Sequence, residues 1–139
     1  MKQLDARSIK RLEGIHADLI SVVNRAVELT DAPFIITEGL RTIERQKKLV
    51  AAGASTTLRS RHLTGHAVDV AAFVDMDGSD DYTSGDNIRW DWPLYGRIAS
   101  AMKGAAFQLN IPIIWGGDFR TFKDGPHFEL DRKQYPAND

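Results

Sequence analysis

The sequence predicts a single α+β domain in which about three helices pack on a small, partly antiparallel sheet. The first observation is the length of 139 residues, which fits one domain, because two domains would each be too small to bury an adequate core. The second is one long segment with helical periodicity, and the third is a series of short apolar segments of strand length. No internal repeat or low-complexity linker divides the chain, so we expect residues 1–139 to fold as one unit.

Residues 8–29 carry the strongest periodic signal and predict the first helix. Apolar side chains recur there at alternating intervals of three and four residues, which places them on one helix face. These side chains are Leu12, Ile15, Leu19, Val22, Ala26 and Leu29. The helix is expected to end at residues 31–33, since the residue before Pro33 resists helical geometry. The β-branched segment 34–37 then predicts a strand.

A second helix is predicted for residues 42–52 and a third from residue 92 onwards. Thr42 fits an N-cap, and Gly53 fits the left-handed residue that follows a helix C-terminus. Pro93 stands near the first helical position, where proline is tolerated. Between these helices, residues 67–74 predict a buried strand and residues 75–91 a long acidic loop. Residues 111–115 and 126–130 predict two further strands, with a turn at residues 116–117.

The composition excludes several functional classes. Without cysteine, the chain has no disulfide, no cysteine-based zinc site and no thiol nucleophile. Eighteen basic and nineteen acidic side chains give a net charge of −1, which provides no field to hold a polyanion, so nucleic acid is not the expected partner. No apolar run approaches the ~20 residues of a membrane span. Any bound metal must therefore use His, Asp or Glu ligands.

The histidines are the first candidates for metal ligands. His16 stands alone in the first predicted helix, which indicates a solvated or capping residue. His62 and His66 are spaced like a helical zinc pair, but Leu63 stands where the catalytic version of that motif needs Glu. Gly65 also costs about 1 kcal/mol relative to Ala inside a helix. We therefore reject the helical pair and expect His66 at the surface or beside the ligands.

A different geometry suits Asp69. In a strand that begins at Ala67, Asp69 shares a face with Ala67 and Ala71, whose small side chains leave room for a bulky neighbour. A buried carboxylate needs a cation or firm hydrogen bonds. Gly65 allows the chain to turn and to return His62 toward Asp69. On this spacing alone, Asp69 fits a metal ligand and a hydrogen-bonded core residue equally well.

Residues 124–129 favour the metal site. Asp124 precedes His127 by three residues across a Gly-Pro turn. Strand alternation predicts that Phe128 and Leu130 face the core, while His127 and Glu129 share the other side. Two histidines and one carboxylate leave the fourth zinc position open, as in catalytic zinc hydrolases. The predicted ligands are His62, Asp69 and His127.

Two motifs resemble the paired signature of the M15 zinc peptidases. The first is Ser60-x-His62-x-x-Gly65-x-Ala67-x-Asp69, and the second is Asp124-x-x-His127. Arg41 matches an arginine of this family, and residues 115–118 match its Trp-Gly-Gly stretch. Asp124, the Trp-Gly-Gly-Asp stretch and the short chain are most similar to the phage L-alanyl-D-glutamate endopeptidases, the endolysin branch. The resemblance implies the fold shared by D-Ala-D-Ala peptidases and hedgehog, without a separate wall-binding domain.

The resemblance also implies a Zn²⁺ cofactor and roles for single residues. Asp124 is implied to be the general base that takes the proton of the attacking water and passes it to the leaving amine. Arg41 is implied to stabilise the oxyanion or to hold a substrate carboxylate. Ser60 is a candidate for hydrogen bonds to the substrate or to a neighbouring site residue. Glu129 either orients a ligand histidine or is a solvated carboxylate.

Other charged and aromatic residues leave alternatives open. Several arginines cluster in sequence near the site and suit a substrate with carboxylates, although a solvated basic face is the alternative for all but Arg41. They are Arg41, Arg45, Arg59 and Arg61. Trp115 is expected in the core, with a place in the cleft as the alternative. The acidic residues 75–81 could hold Ca²⁺, but their spacing departs from the EF-hand pattern, and a solvated loop is the alternative.

The expected function is that of a phage or prophage endolysin that cuts the L-Ala–D-Glu bond of the peptidoglycan stem peptide and lyses the host. A D-alanyl-D-alanine dipeptidase or carboxypeptidase of the same family is the nearest alternative, and a non-catalytic wall-binding domain is the third. The N-terminal segment lacks the apolar stretch of a secretory signal. We therefore expect a monomer in the cytoplasm of a Gram-negative host, with a holin-like partner that permeabilises the membrane and gives access to the wall.

Overall fold

The computed structural model describes residues 3–55, 57, 59–74 and 87–136, and within these ranges the chain forms four α-helices and five strands. The helices are α1 (Ala6–Arg11), α2 (Ala17–Leu29), α3 (Ile43–Ala51) and α4 (Trp92–Leu109). The strands are β1 (Phe34–Glu38), β2 (Ala67–Phe73), β3 (Ile88–Arg89), β4 (Ile113–Trp115) and β5 (His127–Leu130). Two short 3-10 helices cover Arg61–Thr64 and Gly116–Asp118.

The five strands form one sheet in which every described pair is antiparallel. The order is β1-β2-β5-β4, and β3 pairs with the C-terminal end of β2. Helices α2 and α4 pack against each other and share a core with the apolar face of the sheet. The predicted α+β class is confirmed, and the sheet is antiparallel in all its described pairs rather than in part.

Strand alternation separates the core from the functional face. Phe128 of β5 and Val68 and Val70 of β2 are buried in the core, as is Leu130. Asp69 lies between the two valines and therefore points to the opposite face of the sheet. Fully burying a side chain such as Phe128 contributes about 1.5–3 kcal/mol to stability. The apolar alternation therefore fixes which face is available for polar chemistry.

The single helix predicted for residues 8–29 is wrong, because the structure contains two helices there. α1 ends at Arg11 and α2 begins at Ala17, and Gly14 between them has a φ of 83°. A left-handed residue of this kind is incompatible with a continuous helix. The apolar spacing continued through the break because Leu12 and Ile15 are buried in the connecting segment. Periodicity records which residues are buried and does not detect the turn between them.

α1 covers the outer edge of β1. The amide of Ile36 donates to the hydroxyl of Ser8 over 2.8 Å, and the guanidinium of Arg11 donates to the carbonyl of Ile36 over 2.9 Å. The Ser8 hydroxyl in turn donates to Asp5, the N-cap of α1. Unpaired edge strands invite pairing with other chains, and side chains that satisfy their backbone groups remove that risk. The short first helix therefore has a definite structural role.

The remaining elements differ from the predictions mainly at their ends. Thr42 caps α3, and Gly53 has a φ of 77° just after it, both as predicted. The strand predicted from residue 111 begins at Ile113, since Pro112 has no N–H to donate to a ladder. The short strand β3 lies inside the predicted loop 75–91, and residues 75–81, the calcium candidate, lie outside the described residues. No helix in the described part of the chain is both long and apolar enough to cross a membrane.

Candidate metal and catalytic site

The structure brings the three predicted metal ligands together on the polar face of the sheet. Asp69 of β2 and His127 of β5 are directly paired across the antiparallel ladder, which places their side chains side by side. His62 comes from the first 3-10 helix, and Gly65 at its end has a φ of 78°, which turns the chain back toward β2. The candidate ligand atoms of all three residues lie within 4.8 Å of one another. Among the described residues, this is the one such group of at least three.

Both histidine rings are oriented to offer a lone pair to the centre of this group. The Nε2 of His62 lies 3.2 Å and the Nδ1 of His127 lies 3.3 Å from the same oxygen, Oδ1 of Asp69. The other ring nitrogens have their own partners: Nδ1 of His62 lies 2.9 Å from the carbonyl of Gly39, and Nε2 of His127 lies 2.9 Å from the carboxylate of Glu129. Metal-binding histidines characteristically donate their second N–H in this way.

The charges around His127 favour a cation at this point. Burial alone would lower the pKa of His127, but hydrogen bonds and charges from Asp69 and Glu129 outweigh burial and raise the pKa to about 9. Burial would likewise raise the pKa of Asp69, but the two histidines hold it well below its usual range. Two imidazoles and a carboxylate are borderline donors that suit a divalent metal such as zinc. The described residues therefore fit a metal ion.

Glu129 contacts His127 instead of solvent, which resolves the two alternatives left open by the sequence. Only 1% of Glu129 is exposed, and its second oxygen accepts a 2.9 Å hydrogen bond from Nε of Arg132. Burial would raise the pKa of Glu129, but bonding to His127 and Arg132 lowers it to about 2. Glu129 is therefore ionised at neutral pH and fixes the orientation of the His127 ring.

Asp124 lines the same cleft as the three candidate ligands. Partial burial, together with the negative charge of Asp69, raises its pKa above the usual value. A raised pKa brings a carboxylate closer to the working pH and makes it a better proton acceptor. Asp124 therefore lies beside the candidate ligands as a carboxylate with a raised pKa.

The Trp-Gly-Gly stretch holds the turn that carries Asp124. The amide of Asp124 donates to the carbonyl of Gly116 over 2.9 Å, and Nε1 of Trp115 donates to the carbonyl of Gly125 over 2.7 Å. A β-carbon added at Gly116 would lie 2.2 Å from the carbonyl oxygen of Asp124, so only glycine fits. Trp115 also stacks on Phe128 and is half-buried, so it belongs to the edge of the core, as expected. The stretch is therefore a clamp on the 124–127 turn.

Arg41 lies beside the metal-ligand group but is strongly engaged by its own neighbours. Its guanidinium makes two 2.8 Å bonds to the carboxylate of Glu38 and a 2.7 Å bond to the side-chain oxygen of Gln46. Longer contacts of 3.5 Å reach Oδ2 of Asp69 and the hydroxyl of Ser60. Glu38 has a lowered pKa, because its bonds to Arg41 outweigh the effect of burial.

Gln46 was missed by sequence reasoning. It is the buried residue of α3, with 0% exposure, and its amide nitrogen donates to the hydroxyl of Ser55 over 2.9 Å and to the carbonyl of Thr57 over 2.6 Å. Its oxygen accepts from Arg41, so one side chain connects the guanidinium to the 55–57 segment that lines the cleft. The signal available in the sequence was the weak apolar periodicity of α3, which arises because the residue that points inward is polar.

Ser60 and the remaining arginines have local roles. The Ser60 hydroxyl accepts from the amide of His62 over 3.2 Å and so caps the 3-10 helix that presents this ligand. The solvated alternative is wrong for Arg61, which is buried and donates from its guanidinium to the carbonyl of Tyr135 over 2.7 Å, although the residue also lines the cleft. Arg45 and Arg59 are exposed. The basic cluster in the sequence is therefore not one surface.

The two other histidines lie outside the ligand group. His16 caps α2, and its Nδ1 accepts from the amide of Asp18 over 3.0 Å. His66 is half-buried, its Nδ1 lies 2.7 Å from the hydroxyl of Thr64, and its ring contacts that of His16. Burial and the nearby charge of Arg61 lower the pKa of His66. Both positions agree with the interpretation from the sequence.

The ligand group opens into a cleft of about 670 Å³. Its rim is formed by Leu49, by Gly53, Ala54, Ser55, Thr57 and Ser60, by Phe119, Thr121, Phe122, Lys123 and Asp124, and by Arg132. A cleft of this size is typical of small-molecule and peptide sites. The cleft thus combines a group of residues that could bind a metal, the carboxylate of Asp124 and the guanidinium of Arg41.

Comparison with known proteins agrees with this geometry. A family model described as phage L-alanyl-D-glutamate peptidase matches residues 1–137. The chain belongs to this family. Within the phage L-alanyl-D-glutamate peptidase family, the chain is 29% identical over 131 residues to the peptidase of Escherichia phage T5, covering 92% of this chain and 88% of the relative. It is 37% identical over 101 residues to the peptidase of Listeria phage A118, covering 73% of this chain and 31% of that longer relative.

Solved structures extend the comparison. The crystal structure of the Serratia marcescens L-Ala D-Glu endopeptidase ChiX is 44% identical, with a TM-score of 0.84, and covers 98% of this chain and 96% of ChiX. The vancomycin-resistance D,D-dipeptidase VanXYg is 19% identical, with a TM-score of 0.51, over 84% of this chain and 50% of that chain. The second likeness concerns the fold alone. The family resemblance and the fold type expected from the two motifs are confirmed.

Proposed function

We propose that this chain is a zinc-dependent peptidoglycan endopeptidase that cleaves the L-Ala–D-Glu bond of stem peptides and serves as a phage or prophage endolysin. The observation that carries the proposal is the joint placement of Asp124 and the His62–Asp69–His127 group in one cleft. The relatives named as L-alanyl-D-glutamate peptidases support the bond specificity. A domain that only bound the cell wall would have no use for a tuned carboxylate at that point.

His62, Asp69 and His127 would hold the metal, with the ring orientations fixed by Gly39 and Glu129. Zinc supplies a Lewis acid that polarises a carbonyl and lowers the pKa of a coordinated water to about 7. Metal analysis of the purified protein should find one zinc per chain. Substitution of both histidines, His62→Ala and His127→Ala, should abolish that zinc. A wild-type protein that binds no divalent metal would refute the assignment.

Hydrolysis requires a water molecule to attack the carbonyl carbon of L-Ala, a base to take its proton and an acid to protonate the departing amine of D-Glu. Asp124 serves both steps in turn, because its raised pKa suits proton transfer in either direction. A general base of this kind typically contributes about 10²–10⁴-fold to the rate. The clamp at Gly116 and Trp115 keeps the carboxylate in the position from which it acts.

Arg41 supports the site in two ways. The guanidinium of Arg41 contacts Oδ2 of Asp69, so the other oxygen, Oδ1, is directed toward His62 and His127. The same edge of its guanidinium faces the cleft, where it can meet the developing oxyanion or a carboxylate of the substrate. Ser60 contacts both the guanidinium of Arg41 and the amide of His62, and so holds these two residues in a fixed relative position.

Digestion of purified sacculi followed by mass spectrometry of the fragments tests the assignment. The expected products carry a new N-terminal D-Glu, with L-Ala left on the glycan. Release of D-Ala or D-Ala-D-Ala instead would support the alternative, a dipeptidase or carboxypeptidase, to which the VanXYg likeness contributes only the fold. Binding of sacculi without cleavage would support a wall-binding domain. Asp124→Asn is the matched inactive control.

We further propose that the enzyme is a monomer that accumulates in the cytoplasm of a Gram-negative host and reaches the wall once a holin-like protein permeabilises the inner membrane. The phage origin of its relatives supports this route. Expression in a Gram-negative host should cause lysis only when a permeabilising protein is supplied, and Asp124→Asn should prevent lysis in both cases. Lysis without the permeabilising protein would refute the proposed route. The calcium site at residues 75–81 stays a prediction.

A further inference from the structure

We propose that Phe122 is a substrate-contacting residue whose aromatic ring covers the peptide chain while it lies in the cleft. The inference rests on the proposed function and adds to it a residue that neither motif includes. Phe122 lines the cleft and precedes Asp124 by two residues. Three independent features of its position support this role: its backbone conformation, its exposure and the rigidity of its loop.

The backbone of Phe122 is in the left-handed region, with a φ of 51°. In the described part of the chain, Asn110 is the other residue besides glycine with a positive φ, and asparagine tolerates this conformation. A bulky aromatic residue does not, because its β-carbon approaches the backbone too closely. Strain of this kind persists only where the surroundings enforce it, and it clusters at functional sites. The strain therefore calls for a compensating role.

The side chain of Phe122 also has no place in the core. The residue is 77% exposed, so most of the ring faces water. Neither folding stability nor local conformation accounts for phenylalanine here, since asparagine or glycine would fit the backbone better and expose less apolar surface. Because Phe122 lines the cleft, its ring belongs to the apolar surface that ligand sites usually present.

The loop around Phe122 is held firmly enough to maintain this conformation. The carbonyl of Gly116 accepts from the amides of Phe119 and Asp124 over 3.2 and 2.9 Å, which closes the loop at both ends. The ammonium of Lys123 donates to the carbonyl of Phe119 over 2.9 Å. The ring is thus presented on the same clamped segment as the proton-transfer group, and its contact with a substrate would fix the distance to Asp124.

The lining of the cleft indicates what Phe122 covers. Phe119, Leu49 and Ala54 supply further apolar surface in the same cleft, which also contains charged residues such as Arg41 and Lys123. A peptide with small side chains and several carboxylates can place its charges near Arg41 and its aliphatic parts against these apolar residues. Covering the peptide with a rigid ring would shield the charge interactions of the cleft from bulk solvent while the attacking water stays inside.

The decisive experiment compares three substitutions at this position. Phe122→Asn and Phe122→Gly suit the left-handed backbone but remove the ring, and Phe122→Tyr keeps the ring. We expect both ring-removing variants to lose roughly tenfold or more in kcat/KM on a soluble muropeptide, mainly through KM, while Phe122→Tyr stays within about threefold. Because the strain is relieved, the Tm of Phe122→Gly and Phe122→Asn should equal or exceed that of the wild type. Zinc content should stay unchanged.

A matched control is available at Phe107, which is 88% exposed on α4 and does not line this cleft. Phe107→Asn should leave kcat/KM unchanged. Wild-type kcat/KM in Phe122→Asn or Phe122→Gly would overturn the inference, and so would a clear fall in their Tm, which would indicate a structural role. Failure of the wild type to cut the L-Ala–D-Glu bond would instead refute the proposed function, so the two failures are distinguishable.

Discussion

Asp69 and His127 face each other across β2 and β5, and Oδ1 of Asp69 lies 3.3 Å from Nδ1 of His127. The pairing register alone makes these two residues neighbours, although 58 positions separate them in the sequence. A slip of one residue would turn one of the side chains into the core. The alternation of Val68, Val70 and Phe128 therefore fixes the geometry of the candidate metal ligands as well as the core.

Replacing the partner of His127 should weaken metal binding. Glu129→Gln keeps the size of the side chain but removes the charge that orients His127 and raises its basicity. Changes to such partners typically cost about 10–100-fold in metal affinity. Chelator competition should therefore show weaker zinc binding in this variant, whereas the exposed control Glu13→Gln should match the wild type. Equal zinc affinity in both variants would contradict the orienting role.

Gly116→Ala should disrupt the clamp on the 124–127 turn. The added β-carbon would lie 2.2 Å from the carbonyl oxygen of Asp124 and 2.9 Å from the β-carbon of His127, so the turn has to move. A displacement of about 1 Å can cost about 10²-fold in rate. Gly104→Ala on α4, where a β-carbon meets nothing within 4 Å, is the matched control. Gly104→Ala should gain about 0.4–1 kcal/mol of stability in denaturant melts and keep full activity. Gly116→Ala should lose both stability and activity.

Gln46→Met should act on catalysis through Arg41. The variant fills the same space but leaves Arg41, Ser55 and Thr57 without their shared partner, at a cost of about 1–3 kcal/mol in stability. If Gln46→Met lowers the rate by displacing the guanidinium of Arg41, the double variant Gln46→Met/Arg41→Met should be no slower than Arg41→Met alone. Kinetic double-mutant cycles measure this coupling. Additive losses would show that Gln46 acts independently, and exposed Gln134→Met serves as the control.

The pH dependence should reflect the raised pKa of Asp124. The group must be ionised to accept a proton, so kcat/KM should fall as the pH drops through its pKa, which lies above the usual value of 3.8. A carboxyl group whose pKa is higher in the folded than in the unfolded protein lowers the free energy of unfolding at a pH above both pKa values, where the group is ionised in both states. Asp124→Asn should therefore abolish hydrolysis and raise the Tm at neutral pH, with the gain vanishing in acid. A lower Tm at pH 7 would contradict this sign.

Two parts of the site could be predicted from local sequence because their geometry is local. Strand alternation placed Glu129 on the side of His127, and Gly65 supplied the turn that returns His62 to Asp69. Residues that act through tertiary contacts were not visible in the same way. Gln46 resembles an ordinary helical residue in the sequence, because its bonds to Ser55 and Thr57 appear only in the folded chain.

The break in the first helix shows the same limitation in the fold. Leu12 and Ile15 keep the spacing of one helix because both are buried, and Gly14 between them carries the turn. Burial is set by the whole molecule, so a pattern of apolar residues cannot distinguish one helix from two that share a core. The buried guanidinium of Arg61 was misjudged for the related reason that its carbonyl partner at Tyr135 is distant in sequence.

The segment between α1 and α2 also supports the loops on either side of His62. A β-carbon at Gly39 would lie 2.0 Å from the carbonyl oxygen of Arg11, and one at Gly65 would lie 2.5 Å from that of Gly14. Gly39 also holds the ring of His62 through its own carbonyl. Chimeras that exchange N-terminal segments between relatives therefore need to keep that segment matched to Gly39 and Gly65, because both glycines are fitted to its backbone. The N-terminus is a poor place to shorten this enzyme, even though no ligand comes from it.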